Sequence, residues 1–196
     1  MTRDLPWIRA SVPYWYDRMA KLFRRNNDHV DPQVIAHLAQ RLVEARTATV
    51  ALGLSNPQFE IQAELGAEVA ALIAHDEKGL RAILHRVAEK DDKSLRDDAA
   101  QWLGDCARFL DVDWYGHVLA AWRDEVDYKP KYFWIAWRAA LNKAPQQALM
   151  AAQLAAERFK DDSAFTEEYG FMRALLAPGG GTPSAAAVGV PALVPR

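Results

Sequence analysis

The chain has few of the features that mark secreted, membrane and nucleic-acid-binding proteins. Its 196 residues include one cysteine, Cys106, so no internal disulfide can form, and such a composition suits a reducing cytoplasm. Near the N-terminus no uncharged apolar run approaches the roughly 20 residues that a membrane span needs. Asp4 and Arg9 also break the apolar stretch that a secretory signal peptide would require there. The formal net charge of −2 also lacks the basic excess of nucleic-acid-binding proteins. We therefore expect a cytoplasmic protein that binds neither membranes nor nucleic acid.

Motifs of catalysis and of metal binding are also scarce. The five histidines form no His-x-x-x-His or Glu-x-x-His pair, and the chain has no Gly-x-Ser-x-Gly sequence. Cys106 lies within a predicted amphipathic helix, where cysteine is typically a small buried residue. We expect no catalytic residue, no cofactor and no metal ligand, and hence no enzyme. An enzyme whose site is assembled from separate helices, for example around His37, His85 and His117, stays as an alternative.

Strict alternation of β-branched residues is absent, whereas helix signals recur along the chain. Asp31 and Asn56 each precede a proline and are good N-caps, because a side-chain oxygen accepts from the free N–H groups of a first helical turn. Ser94 opens a sequence, SLRD, similar to a capping box. The predicted helices cover about residues 13–25, 32–52, 57–75, 77–90, 94–110, 113–127, 130–142, 145–160 and 163–176. The sequence therefore predicts an all-α fold without β-sheet, either a single-domain helical bundle or a short α-solenoid-like array of about nine helices.

The C-terminal sequence differs from the rest. Residues 178–196 contain mostly small residues, with four prolines and no periodic core positions. We expect an all-helical domain over residues 1–177 and a flexible low-complexity tail over 178–196. The last four residues, 193–196, match what thrombin cleavage leaves of an expression linker, and a native disordered tail is the alternative.

The seventh predicted helix lies in the sequence DYKPKYFWIAWRAAL, residues 127–141, which holds five aromatic residues. Its apolar positions cover nearly the whole circumference, which indicates a helix buried between neighbours. One stripe contains Phe133, Trp134 and Trp137, and the second contains Tyr132. We expect these aromatics to belong mainly to the core; the alternative is that one stripe is buried and the other is offered to a partner. Whether Tyr132 reaches the surface near Tyr128 stays open.

An acidic segment, EKDDKSLRDD at residues 89–98, is the strongest candidate for a binding surface, with a solvated loop as the alternative. The predicted partner-binding residues are Asp91, Asp92, Asp97, Asp98, Tyr128 and Tyr132. Reversing the four aspartates to lysine is expected to weaken partner binding without unfolding the protein.

From these features we expect a non-enzymatic helical protein that binds another protein. The most specific form of this hypothesis is a dedicated inhibitor, such as an immunity protein that neutralises a basic bacterial toxin. A structural or adaptor module that assembles through helix packing, including a homo-oligomer, is the alternative from another class.

Overall fold

The computed structural model describes the backbone of residues 5–24 and 31–162, and the side chains of residues 11–22 and 31–162. These residues form eight α-helices and no strand. The helices are α1 (Leu5–Arg24), α2 (Pro32–Ala51), α3 (Pro57–Ala74), α4 (Glu77–Glu89), α5 (Lys93–Cys106), α6 (Val112–Glu125), α7 (Lys129–Leu141) and α8 (Pro145–Arg158). A short 3-10 turn, Ala107–Phe109, follows α5. The all-α prediction is confirmed.

Short polar side chains begin most of the helices, as the capping chemistry predicts. The carboxylate of Asp31 accepts from an N–H group of α2 at 2.8 Å, and the amide oxygen of Asn56 accepts from one of α3 at 3.0 Å. Asp76 and Asp111 cap α4 and α6 in the same way. Each cap satisfies a backbone donor that has no partner within its own helix.

Three predicted helix boundaries need comment. α1 begins at Leu5, so Pro13 lies inside the helix and not at its start. α5 begins one residue before Ser94, because Asp92 supplies the capping oxygen that the sequence pattern assigned to that serine. The ninth predicted helix, 163–176, and the predicted tail, 178–196, lie outside the described residues.

The helices pack in two rows. Within each row, every helix contacts the one that lies two places further along the chain. α1, α3, α5 and α7 form one row, whereas α4, α6 and α8 form the other. α2 packs on α1 and α3, and α7 packs on both α5 and α8. This arrangement is consistent with a helical bundle, the first of the two predicted architectures.

α7 buries one of its two apolar stripes fully and the other only in part. The side chain of Tyr132 is fully buried, as is that of Ile135, whereas Trp134 and Trp137 are only half-buried. The reason lies on α5, where Gly104 brings the helices together: an added Cβ there would lie 2.4 Å from a side-chain carbon of α7. Such a close approach leaves room for small residues at the contact and places the wide indole rings outside it. The open question about Tyr132 is thus answered: its side chain lies in the core and does not reach the surface.

No helix in the described part of the chain combines the length and the hydrophobicity needed to cross a membrane.

Candidate functional site

The α4–α5 turn engages two of the four predicted aspartates. Asp91 has a φ of 48°, in the left-handed region that aspartate tolerates better than most residues, and its side chain, 88% exposed, lies 2.7 Å from Arg96. Asp92 caps α5, since its Oδ1 accepts hydrogen bonds from the backbone N–H groups of Ser94 (2.8 Å) and Leu95 (3.2 Å). Both carboxylates thus hold the turn and the start of the helix.

Asp97 neutralises a lysine that is buried at the start of α7. The side chain of Lys131 is 8% exposed, and its Nζ lies 2.6 Å from the Asp97 carboxylate. Reversing Asp97 would leave this ammonium group buried beside a second cation, which destabilises a fold by several kcal/mol. Reversing Asp92 would also remove a helix cap. The expectation that all four aspartates can be reversed without unfolding therefore does not hold.

Asp98 differs from these three aspartates because its carboxylate faces a cavity. The cavity has a volume of about 260 Å³, lies between α1, α5 and α7, and is also lined by Tyr16, Gln101 and Trp102. No ion pair or hydrogen bond joins Asp98 to another described side chain. Burial raises its pKa, and the negative charges of neighbouring aspartates raise it further. Asp98 is thus a poorly solvated negative charge that faces an accessible space.

The floor of the cavity carries a second acid, Asp105, but its charge is compensated. Arg138 of α7 forms a two-point ion pair with it, with Nε at 2.7 Å and Nη2 at 2.5 Å from the two carboxylate oxygens. The side-chain amide of Asn142 donates to Asp105 Oδ1 at 2.9 Å. A paired arrangement of this kind fixes both the direction and the charge of the guanidinium group. Among the described charged residues that line the cavity, Asp98 alone is left uncompensated.

A further acid, Glu68, lies next to this site on α3. Its side chain is fully buried, and neither carboxylate oxygen accepts a hydrogen bond from the described residues. Burial raises the pKa of Glu68 well above its usual range, and the charge of Asp98 raises it further. Four residues earlier, Glu64 is also buried but pairs with Arg86 of α4 at 3.0 Å. Two acids on one helix therefore have opposite environments.

The two predicted tyrosines do not form one surface. Tyr128 is half-buried, with the guanidinium of Arg96 5.6 Å from its ring centroid, a distance typical of a cation–π contact. Tyr132 is 0% exposed, and its hydroxyl donates to Asp127 Oδ1 at 2.9 Å. Burial raises the pKa of Tyr132, and the bond to Asp127 raises it further. Tyr132 is therefore a core residue and cannot contribute a contact to a partner.

The structure does not bring the three candidate histidines together. His85 and His117 are exposed and lie 3.2 Å from the carboxylates of Glu125 and Glu77, respectively, whereas His37 lies on α2, which packs mainly on α1 and α3. In residues 31–162 and the described part of α1, no group of three or more His, Cys, Asp or Glu side chains is arranged to hold a metal ion.

Cys106 is fully buried, and burial raises its thiol pKa well above the usual range, as do the nearby acids. Because the thiolate is the nucleophile, this environment makes the side chain unreactive. The prediction of a small buried residue at this position is confirmed.

Sequence reasoning identified Asp98 but missed the residues that surround it. Asp98, Gln101 and Asp105 are spaced three and four positions apart, which places them on one face of α5, and this spacing is a signal that the sequence contains. The contributions of Arg138 and Tyr16 are not visible in the same way, since they depend on which helices pack together. No protein-family model, curated protein or solved structure matches the chain.

Proposed function

We propose that this protein binds a basic protein partner through the exposed edge of α5, with Asp98 as the central contact. The observation that supports this proposal is the uncompensated carboxylate of Asp98, which faces an accessible cavity while Asp91, Asp92 and Asp97 are engaged within the chain. A cationic group from a partner would supply the missing countercharge. Within this class, a dedicated inhibitor of a basic enzyme, such as an immunity protein, is the role that fits best.

The charges around Asp98 explain why partner binding should depend mainly on this one residue. Surface ion pairs contribute little to binding because water and salt screen them, whereas a partly buried charge is screened much less. Asp91 is exposed and already paired, so its replacement changes little at the cavity. Asp98 is half-buried and has no partner among the described side chains. An ion pair between Asp98 and a cation of the partner should therefore stabilise the complex more than an ion pair at Asp91 would.

The experiment compares the full-length wild type with Asp98→Asn and Asp91→Asn, each immobilised and exposed to a native extract of the source cells. A partner retained in a one-to-one ratio by the wild type is then purified, and its affinity for all three proteins is measured by calorimetry. We expect Asp98→Asn to weaken binding at least tenfold, with a smaller effect from Asp91→Asn. Equal affinities for the wild type and Asp98→Asn would exclude the α5 edge as the binding surface.

A further inference from the structure

The cavity beside Asp98 has the dimensions of a site for one side chain. Its volume of about 260 Å³ is below the range of roughly 300–1,000 Å³ that is typical of sites for drug-sized ligands. The cavity is open on one side, and its walls come from α1, α5 and α7. α5 and α7 pack on each other, and α1 and α5 both pack on α3. A protruding side chain of a partner can therefore enter it, whereas a large ligand cannot be enclosed.

The walls place a negative charge beside a side-chain amide. Asp98 has no ion-pair partner among the described side chains, and Gln101 adds an amide oxygen that can accept a hydrogen bond. Trp102 also lines the cavity, but it is buried and only 6% of its surface is exposed. Arg138 also lines the cavity, but its charge is compensated by the two-point ion pair with Asp105 and does not repel an incoming cation strongly.

These walls favour a guanidinium group over an ammonium group. Guanidinium is planar, donates in two parallel directions to a carboxylate and is more weakly hydrated than ammonium. An ammonium group matches the charge of Asp98 but cannot offer two parallel N–H donors to its carboxylate. We propose that this cavity is an anchor pocket for one arginine side chain of the basic partner, an inference that rests on the proposed function.

The test uses small probes, so it does not require the partner. Nα-acetyl-arginine amide is titrated into the ¹⁵N-labelled full-length protein, with the lysine and citrulline analogues as matched probes. Citrulline has nearly the shape of arginine but no charge. The readout is the shift of the Trp102 indole N–H and Gln101 side-chain amide signals, recorded for the wild type, Asp98→Asn and Asp91→Asn.

We expect the arginine probe to bind the wild type saturably, with a dissociation constant of about 1–10 mM, as is common for a single side chain. Binding should be at least tenfold weaker for citrulline, several-fold weaker for lysine, and at least tenfold weaker in Asp98→Asn, whereas Asp91→Asn should bind like the wild type.

Equal binding of arginine and citrulline, equal binding by the wild type and Asp98→Asn, or no saturable shift would each overturn the pocket. Lysine binding as tight as arginine binding would overturn the guanidinium preference. A third outcome is that the arginine probe binds but the wild type retains no protein from the extract. The ligand of the pocket is then a free guanidinium compound and not an arginine of a protein partner. The failure of the proposed function is thus separable from the failure of the pocket.

Discussion

Replacing Glu68 by glutamine should change how the stability of the fold depends on pH. In the folded protein Glu68 is fully buried, without a hydrogen-bond donor among the described residues, and burial raises its pKa well above the usual 4.5. In the unfolded chain the same carboxyl group ionises near its ordinary pKa. Between these two pKa values the folded state holds a proton that the unfolded state has released, so the free energy of unfolding falls as pH rises.

The magnitude follows from one proton. While Glu68 stays protonated in the folded state, each pH unit above 4.5 lowers the free energy of unfolding by about 1.4 kcal/mol relative to a residue that does not titrate. Stability from the protonated carboxyl is fully present below the unfolded pKa and is lost as pH rises through the raised folded pKa. The difference in unfolding free energy between Glu68→Gln and the wild type should therefore grow in favour of the variant between pH 5 and pH 6, by at most about 1.4 kcal/mol.

The assay is urea denaturation followed by circular dichroism at several pH values. The slope of the difference with pH is the diagnostic quantity, because a buried amide without partners adds a constant penalty of about 1–3 kcal/mol to Glu68→Gln. Glu64→Gln is the matched control on the same helix: Glu64 pairs with Arg86, so its neutralisation should destabilise the fold without reproducing this rising difference. A pH-independent difference for Glu68→Gln over this interval would show that Glu68 is ionised in the fold, and the reasoning from burial would fail.

Two pairs of variants test the packing of α7. Gly104→Ala should destabilise the fold by about 1–3 kcal/mol, because the new Cβ lies 2.4 Å from a side-chain carbon of α7; Gly116→Ala, whose Cβ meets its nearest neighbour at 3.4 Å, should be neutral or stabilising by up to about 1 kcal/mol. Equal urea midpoints for these two would contradict the close approach. Ile135→Ala should lower stability by about 2–5 kcal/mol, and Trp134→Ala by less, since its indole is half-buried. The reverse order in thermal unfolding would mean that the faces of α7 are assigned incorrectly.

Local signals in the sequence were sufficient for the helices because each start is set by neighbouring residues. Asp31 and Asn56 cap their helices at the predicted positions. Ser94 failed as a cap because Asp92, two residues earlier, has a carboxylate that accepts two backbone N–H groups at once. Only the geometry of the preceding turn decides between these two capping candidates, and a sequence pattern does not contain that geometry.

The candidate site was harder to predict because its residues come from helices far apart in the chain. A run of aspartates reads as one acidic surface, yet the fold gives Asp92 a capping role and gives Asp97 a buried lysine as partner. That lysine lies 34 positions later in the sequence, on a helix whose rotation the sequence leaves open. The reason is that a helix that is apolar all round does not reveal which side faces α5 until the glycine contact is known.

Glu68 and Asp98 are two acids whose surroundings disfavour their charged forms. Burial raises the pKa of both carboxyl groups, and the charge of Asp98 raises that of Glu68 further. Glu68 is fully buried, whereas Asp98 lies at the cavity wall, where a cation can reach it. A sequence selected for stability alone would replace both residues with apolar or paired ones, since each reduces stability at neutral pH. The presence of Asp98 is explained if its charge binds a cation, because that cation compensates the carboxylate at the cavity wall.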